Sequence, residues 1–133
     1  PHLVTFRDEH GRELFDLPDA PRPDPETLAP VRFLPEFDNL LLSHDDRSRI
    51  VSDDHRRIIA TRNGMVPGVI LVDGFVRGTW KIRRQRRRAT LLVEPFAALS
   101  DPDRHALADE GTLLLAFSAP EADEREVAFS DPA

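Results

Sequence analysis

Seven cationic side chains, close together in the middle of the chain, are the residues whose types and spacing most clearly suggest a chemical role. They are Arg77, Lys81, Arg83, Arg84, Arg86, Arg87 and Arg88, and no acidic residue interrupts them. The planar guanidinium group of arginine donates two parallel hydrogen bonds and sheds water easily, which suits it to phosphate. The cluster therefore predicts a phosphate-binding surface. The alternative is a solvated hairpin whose charges offset acidic flanks.

The charge distribution along the chain supports a basic centre, although the formal net charge is -6. Residues 47–88 hold twelve lysines and arginines against three acids, whereas residues 1–46 hold four arginines against eleven acids. Residues 89–133 hold two arginines against ten acids. For contact with a charged partner, the local distribution matters more than the total.

Catalytic and metal-binding patterns are weak in this sequence. The five histidines are dispersed and there is no cysteine, so we predict neither a metal site nor thiol chemistry. Ser43, His44 and Asp45 have the residue types of a catalytic triad, but adjacent residues do not generally point at one another. Carboxylates near residues 38–46 are explained as well by capping and turn hydrogen bonds. No glycine-rich phosphate loop is present. We therefore predict no catalytic residue and no cofactor.

The elements that must position the cationic cluster are predicted to be β-hairpins. Asn63-Gly64 and Asp73-Gly74 are strong signals for tight turns, so we expect an antiparallel meander over residues 58–94. Within its long strand, Arg77, Lys81 and Arg83 share parity and should form one cationic face. Val76, Trp80 and Ile82 should form the opposite, apolar face, with Trp80 in the core.

The rest of the chain predicts a single domain over residues 1–133. An opening hairpin is expected before a proline-rich loop at residues 18–30, and Ser52 and the acids after it should cap a short helix containing Arg56 and Arg57. Residues 37–42 are apolar enough to be buried. Ser100 and Pro102 begin an amphipathic helix that continues to Phe117 through Leu107, Leu113 and Leu114. Residues 126–129 should form a last strand.

The predicted fold class is α+β, mainly β with one main helix. We expect a small antiparallel sheet, strongly curved or barrel-like, with the amphipathic helix packed on it. No stretch approaches the ~20 apolar residues that a membrane helix needs, and no secretory signal is visible. We therefore expect a protein that stays inside the cell without contact to a membrane.

Several strings resemble signatures of bacterial proteins that contain winged-helix DNA-binding domains, a group that includes DNA glycosylases for alkylated bases and interstrand crosslinks. They are LPEFDNLLLSH at residues 34–44, DRSR at 46–49, VDG at 72–74, GTW at 78–80 and RELFDL at 12–17. The resemblance extends from the first hairpin to the helix at residues 101–117.

The resemblance implies a carboxy-terminal β-barrel that follows tandem winged-helix modules in a bacterial, cytoplasmic DNA-repair protein. Its partners would be duplex DNA and the upstream modules, with Arg62, Asn63 and the turn at residues 83–88 reaching phosphates. The catalytic Gln-x-Gln or Gln-x-Asp motif of the family is missing, because Gln85 is the one glutamine and Arg86-Arg87 follow it. Three alternatives stay open: a DNA-binding accessory domain, a scaffold that supports the winged-helix modules without touching DNA, and an enzyme acting alone.

Overall fold

The structure, a computed structural model, describes residues 2–59 and 64–132. Its strands are β1 (Val4–Arg7), β2 (Glu13–Asp16), β3 (Arg32–Leu34), β4 (Gly68–Val72), β5 (Phe75–Gln85), β6 (Arg88–Pro95) and β7 (Glu124–Phe129). Its helices are α1 (Asn39–Leu42), α2 (Asp53–Ile59) and α3 (Asp101–Ser118). Strands β1 and β2 form a separate two-stranded sheet, and the other strands form one sheet in the order β3-β4-β5-β6-β7. The mixed α+β class agrees with the sequence prediction.

The predicted barrel-like closure is absent from the described residues, where β3 and β7 are the two edges of an open sheet. The prediction of a wholly antiparallel sheet is also wrong, because β7 pairs with β6 in parallel. A parallel neighbour requires a long crossover, and α3 supplies it between the two strands. Along that crossover Ser100 caps the helix by accepting from the Asp103 amide, as predicted.

The antiparallel meander is confirmed for β4, β5 and β6. Asp73 and Gly74 both have positive φ, 49° and 77°, as the tight turn between β4 and β5 requires. The expected first strand of the meander is wrong, however, since Ile58 and Ile59 lie in α2. Ser52 accepts a hydrogen bond from the His55 amide at 3.3 Å, and Ile59 is buried, so capping and packing favour a helix there. Ala60, Thr61 and Asn63 lie outside the described residues.

The core lies on both faces of the five-stranded sheet. On one face, Leu41 of α1 and Ile59 of α2 pack with Val69 and Val76. On the other, α3 covers the sheet, with Leu115 beside Leu91 and Leu107 beside Val93. The helix contacts the sheet closely at Gly111, where an added Cβ would lie 2.8 Å from Leu91 Cδ2.

Two predicted apolar segments are less buried than expected. In the helix, Leu113 is 68% exposed and Phe117 is 86% exposed, because the buried stripe passes through Leu107, Gly111 and Leu115 instead. In residues 37–42, Leu41 is buried but Phe37, Leu40 and Leu42 are exposed, since a helical turn at Asn39–Leu42 directs one of its leucines into the core. In the described residues, no helix is long and apolar enough to cross a membrane.

The opening hairpin is confirmed, with Val4 opposite Asp16 and Arg7 opposite Glu13. The Asp8 carboxylate organises its turn by accepting from Arg12 Nε at 2.7 Å and from the amides of Arg12 and His10. Residues 18–30 contain no helix or strand, as their prolines predict.

Candidate nucleic-acid interface

The β5–β6 hairpin carries the seven cationic residues and extends beyond its neighbour on one side. The β4–β5 pairing ends at Gly68 opposite Trp80, whereas the β5–β6 pairing continues to Gln85 opposite Arg88. Within the described part of the chain, no strand pairs with β5 between residues 81 and 85 on that side. The hairpin therefore presents a free edge and a turn tip to solvent, supported on its other side by β7.

The turn tip consists of Arg86 and Arg87, between the paired residues Gln85 and Arg88. Arg86 has a φ of 52°, in the left-handed region that a residue with a Cβ rarely adopts. This conformation costs on the order of 1–2 kcal/mol, which the surrounding pairing must offset. The strain is therefore concentrated at the exposed tip of the hairpin.

The two faces of β5 divide as the sequence predicts only from Gly78 onward, because a register shift opposite Ile70 and Leu71 interrupts the β4–β5 pairing. Val76 packs with the core cluster on the α1 and α2 side, whereas Trp80 and Ile82 pack on the α3 side, so the predicted common apolar face of these three residues is wrong. Arg77, Lys81 and Arg83 are exposed, while Val76 is buried and Ile82 is half-buried. Beyond this irregularity the alternation follows from the pleat, which directs successive side chains to opposite sides.

Trp80 has a structural role, as expected. Its indole Nε1 donates to the Leu34 carbonyl at 2.8 Å, and its ring meets Phe33 edge to face at 5.7 Å between centroids. Both contacts direct the indole toward strand β3 and the core.

Arg84 differs from its neighbours because its parity places it on the side of the sheet that α3 covers. Its guanidinium donates to the Ser118 carbonyl at 2.9 Å, at the last residue of the helix. A cation near a helix C-terminus satisfies a free carbonyl and interacts favourably with the helix dipole. Arg84 thus joins the hairpin to the end of α3.

Three of the remaining cations are paired with carboxylates. Lys81 Nζ lies 3.0 Å from both Glu94 oxygens, Arg87 forms a two-point pair with Asp123, and Arg88 Nε donates to Glu124 at 2.7 Å. The Arg87 hydrogen bond lowers the pKa of Asp123, and Glu124 raises the pKa of Arg88. All three pairs are exposed, so each contributes little to stability.

Arg77, Arg83 and Arg86 have no carboxylate partner among residues 2–59 and 64–132. The Arg77 guanidinium lies 5.7 Å from the centroid of the Phe75 ring, a cation–π distance. Arg83 and Arg86 lie at the solvent-exposed end of the hairpin. Arg86 is in the turn itself, and Arg83 lies two residues before Gln85, the last paired residue of β5. These arginines are the ones that can accept a new anionic partner without losing an old one.

The acidic partners of the cationic cluster were not predicted from the sequence. The contact between Lys81 and Glu94 could have been predicted. A turn at Arg86-Arg87 places Thr79 opposite Glu94 and therefore Lys81 diagonal to Glu94. No local sequence pattern predicts that Asp123 and Glu124 contact the cationic cluster. They reach Arg87 and Arg88 through the parallel pairing of β7, which depends on the path of α3.

Other residues singled out in the sequence have structural explanations or lie outside the described part. Arg62 and Asn63 belong to the undescribed segment, so their predicted phosphate contact stays a prediction. Asp46 accepts from the Ser48 hydroxyl at 2.7 Å and from its amide at 3.0 Å. These bonds, together with Arg12, lower the pKa of Asp46 to about 2. In residues 2–59 and 64–132, no three histidine or carboxylate side chains are grouped closely enough to hold a metal ion.

These features define an α+β domain with a protruding arginine-rich hairpin whose charge is partly neutralised by its own sheet. The family described as DNA glycosylase AlkZ-like matches residues 1–117, and the chain belongs to this AlkZ-like DNA glycosylase family.

Among solved structures, the chain is similar to the DNA glycosylase AlkZ of Streptomyces sahachiroi, with 25% sequence identity and a TM-score of 0.69. The match covers 96% of this chain and 33% of that glycosylase, so the chain spans about a third of its length. A comparison with curated proteins gave no match.

Proposed function

We propose that this chain is a DNA-binding accessory domain of an AlkZ-like glycosylase polypeptide in the bacterial cytoplasm. It follows winged-helix modules and contacts duplex DNA through the β5–β6 hairpin. Family membership supports DNA as the partner. The observation that carries the proposal is that Arg83 and Arg86 lie exposed at the end of this hairpin, with no carboxylate partner in the described residues.

The contacts are made to phosphates and give affinity without sequence readout. Arginine forks suit phosphate oxygens, and contacts to the DNA backbone fix position without reading bases. Arg83, Arg86 and Arg77 contribute most, because no ion pair has to open first. Lys81, Arg87 and Arg88 contribute less, since binding a phosphate requires each to leave or share a carboxylate. Arg84 contributes through the position of the hairpin rather than by contact.

The chain supplies no catalytic residue of its own. This follows from the sequence, in which the Gln-x-Gln or Gln-x-Asp motif is missing because Gln85 is followed by Arg86 and Arg87. We expect the purified chain to release no base from alkylated or crosslinked DNA. Base release that disappears on substitution of one of its own residues would contradict this.

The test of the DNA contact is the salt dependence of binding to duplex DNA between 50 and 200 mM salt. Each neutralised phosphate contributes about 0.9 to the slope of log affinity against log salt. Replacing Arg83 and Arg86 by Ser should flatten that slope by about two, equally on unrelated sequences.

The matched control is Arg56→Ser with Arg57→Ser, which removes two exposed arginines from α2 and the same net charge. It should leave the slope almost unchanged, because α2 is not part of the hairpin. An unaltered slope in the Arg83/Arg86 variant, or an equal change in the control, would reject DNA contact by this hairpin.

A scaffold that supports the winged-helix modules is the second candidate. The observation that favours it is the pair Leu113 and Phe117 on the outer side of α3, exposed by 68% and 86%. Exposed apolar pairs of this kind commonly mark protein contacts. A scaffold predicts that Leu113→Ser with Phe117→Ser weakens attachment to the modules, while the Arg83/Arg86 variant keeps the parental salt slope.

A further inference from the structure

The β1–β2 hairpin is an apolar element without a core of its own. Leu3, Phe15 and Leu17 are exposed by 53%, 62% and 56%, and the strand alternation places them on one face. Phe6 and Leu14, which are directly opposite each other, are exposed by 41% and 43% on the other face. Among the described residues, no buried hydrophobic side chain precedes Leu41.

Charged contacts join this hairpin to the rest of the domain. Arg12 lies 3.4 Å from Asp46 and Arg49 lies 3.1 Å from Glu9, with both pairs exposed. Arg22 of the proline-rich loop lies 5.1 Å from the Phe6 ring centroid and 2.9 Å from Asp16. These contacts lie at the turn and over the Phe6 face, so the face formed by Leu3, Phe15 and Leu17 is the more open.

A free two-stranded hairpin is at best marginally stable in water, and stability needs more strands or a packed apolar face. Scattered exposed apolar residues are ordinary, but a contiguous set on one small hairpin marks a contact surface. The composition of the hairpin is therefore typical of an element whose apolar face is packed against another surface in the functional protein.

We infer that the face formed by Leu3, Phe15 and Leu17 docks onto a basic-rimmed apolar surface of the glycosylase polypeptide outside these 133 residues. The similar glycosylase has about two-thirds of its length outside the match, which is enough chain to supply that surface. This rests on the proposed place of the chain within a larger glycosylase polypeptide.

The charge of the segment argues against a second copy as the occupant. Residues 1–46 hold eleven acids against four arginines, so two such segments repel each other. The same excess of acidic residues, to which Glu13 on the face of Phe15 contributes, is complementary to a basic surface.

The experiment is amide hydrogen exchange in two proteins: this 133-residue chain, measured at low and high concentration, and the product of its complete open reading frame. In the 133-residue chain, residues 4–16 should exchange rapidly at both concentrations, while residues 89–93 of β6 remain protected. In the complete product, residues 4–16 should exchange at least about tenfold more slowly, because the docked interface must open before their amides can exchange.

Phe15→Ser with Leu17→Ser should abolish that added protection in the complete product. The control, Leu28→Ser with Ile58→Ser, removes two exposed apolar side chains that lie outside the β1–β2 hairpin and should leave that protection unchanged. Continued protection of β6 shows that each variant is folded.

Two outcomes would overturn the inference. Equal exchange of residues 4–16 in the two proteins would show that nothing outside the chain covers the hairpin. Protection that grows with concentration in the 133-residue chain would identify a second copy as the occupant. Because neither readout involves DNA, this inference and the proposed DNA contact can fail separately.

Discussion

The two exposed hairpins of this domain, β1–β2 and β5–β6, are built on opposite principles. Strand β6 of the β5–β6 hairpin buries alternate side chains, with Ala89, Leu91 and Val93 in the core, and this anchor allows the hairpin to carry charge on its outer face. The β1–β2 hairpin places large apolar side chains on both faces and buries none of them. The comparison teaches that a hairpin can expose arginines when its other side chains pack in the core. Exposed leucines and phenylalanines indicate instead a hairpin that lacks a packing partner within this chain.

Truncation of the β5–β6 anchor should have the largest effect on the protein. Leu91 is fully buried between the sheet and α3, so Leu91→Ala should lower the free energy of unfolding by about 2–5 kcal/mol. Urea denaturation followed by circular dichroism measures this. Phe15→Ala in the other hairpin should change it by less than ~0.5 kcal/mol. Similar costs at both positions would remove the distinction between the hairpins.

Release of the paired arginines should strengthen DNA binding. Asp123→Asn with Glu124→Gln removes the carboxylates that Arg87 and Arg88 contact, so the salt slope should steepen by up to about two. Fluorescence anisotropy with duplex DNA at several salt concentrations checks this. Glu26→Gln with Asp109→Asn gives the same change in net charge at exposed residues distant in sequence from these pairs. If that control raises affinity equally, net charge and not the local pairing sets the effect.

Two adjacent arginines of β5 should separate stability from binding. Arg84→Ser removes the hydrogen bond to Ser118 and should cost about 0.5–1.5 kcal/mol of stability with little change in salt slope. Arg83→Ser should do the reverse, flattening the slope by about 0.9 without a measurable loss of stability. Thermal unfolding and anisotropy titrations of both variants give the comparison. Equal changes in stability and in salt slope for the two variants would show that the side of the strand on which each arginine lies does not determine its role.

Acid titration should reveal the hydrogen bonds of the Asp46 carboxylate, which come mainly from Ser48 and also from Arg12 of the β1–β2 hairpin. Asp46 has a pKa of about 2, below its usual 3.8, owing to Ser48 and then Arg12. A lowered pKa in the folded state adds stability that is complete above pH ~4 and is lost as the pH falls toward 2. Asp46→Asn should reduce the loss of stability over this window, with no difference in pH dependence between pH 6 and 8. An unchanged acid profile in this variant would show that Asp46 does not contribute.

Local sequence signals predicted the elements whose stability is local. The Asp73-Gly74 turn, the Ser100 cap and the alternation that exposes Lys81 and Arg83 all follow from the backbone preferences of a few neighbouring residues. Ile58 and Ile59 misled because β-branched residues favour strands, while the preceding cap and the pocket around Ile59 favoured a helix. Short apolar runs allow either choice, and packing decides between them.

The sequence by itself determined the charge of the β5–β6 hairpin, the exposure of the cationic side chains along β5 and the family to which the motifs of the chain point. Only the tertiary structure decided which arginines are free. Arg87 and Arg88 meet Asp123 and Glu124 across 36 residues of chain, through the crossover that makes β7 parallel to β6. Such a pairing depends on where α3 packs, which is a property of the whole core. The same is true of Phe117, whose exposure was set by which stripe of the helix met Leu91 and Val93. Local sequence encodes propensity, but partners distant in sequence become neighbours only when the packed core brings them together.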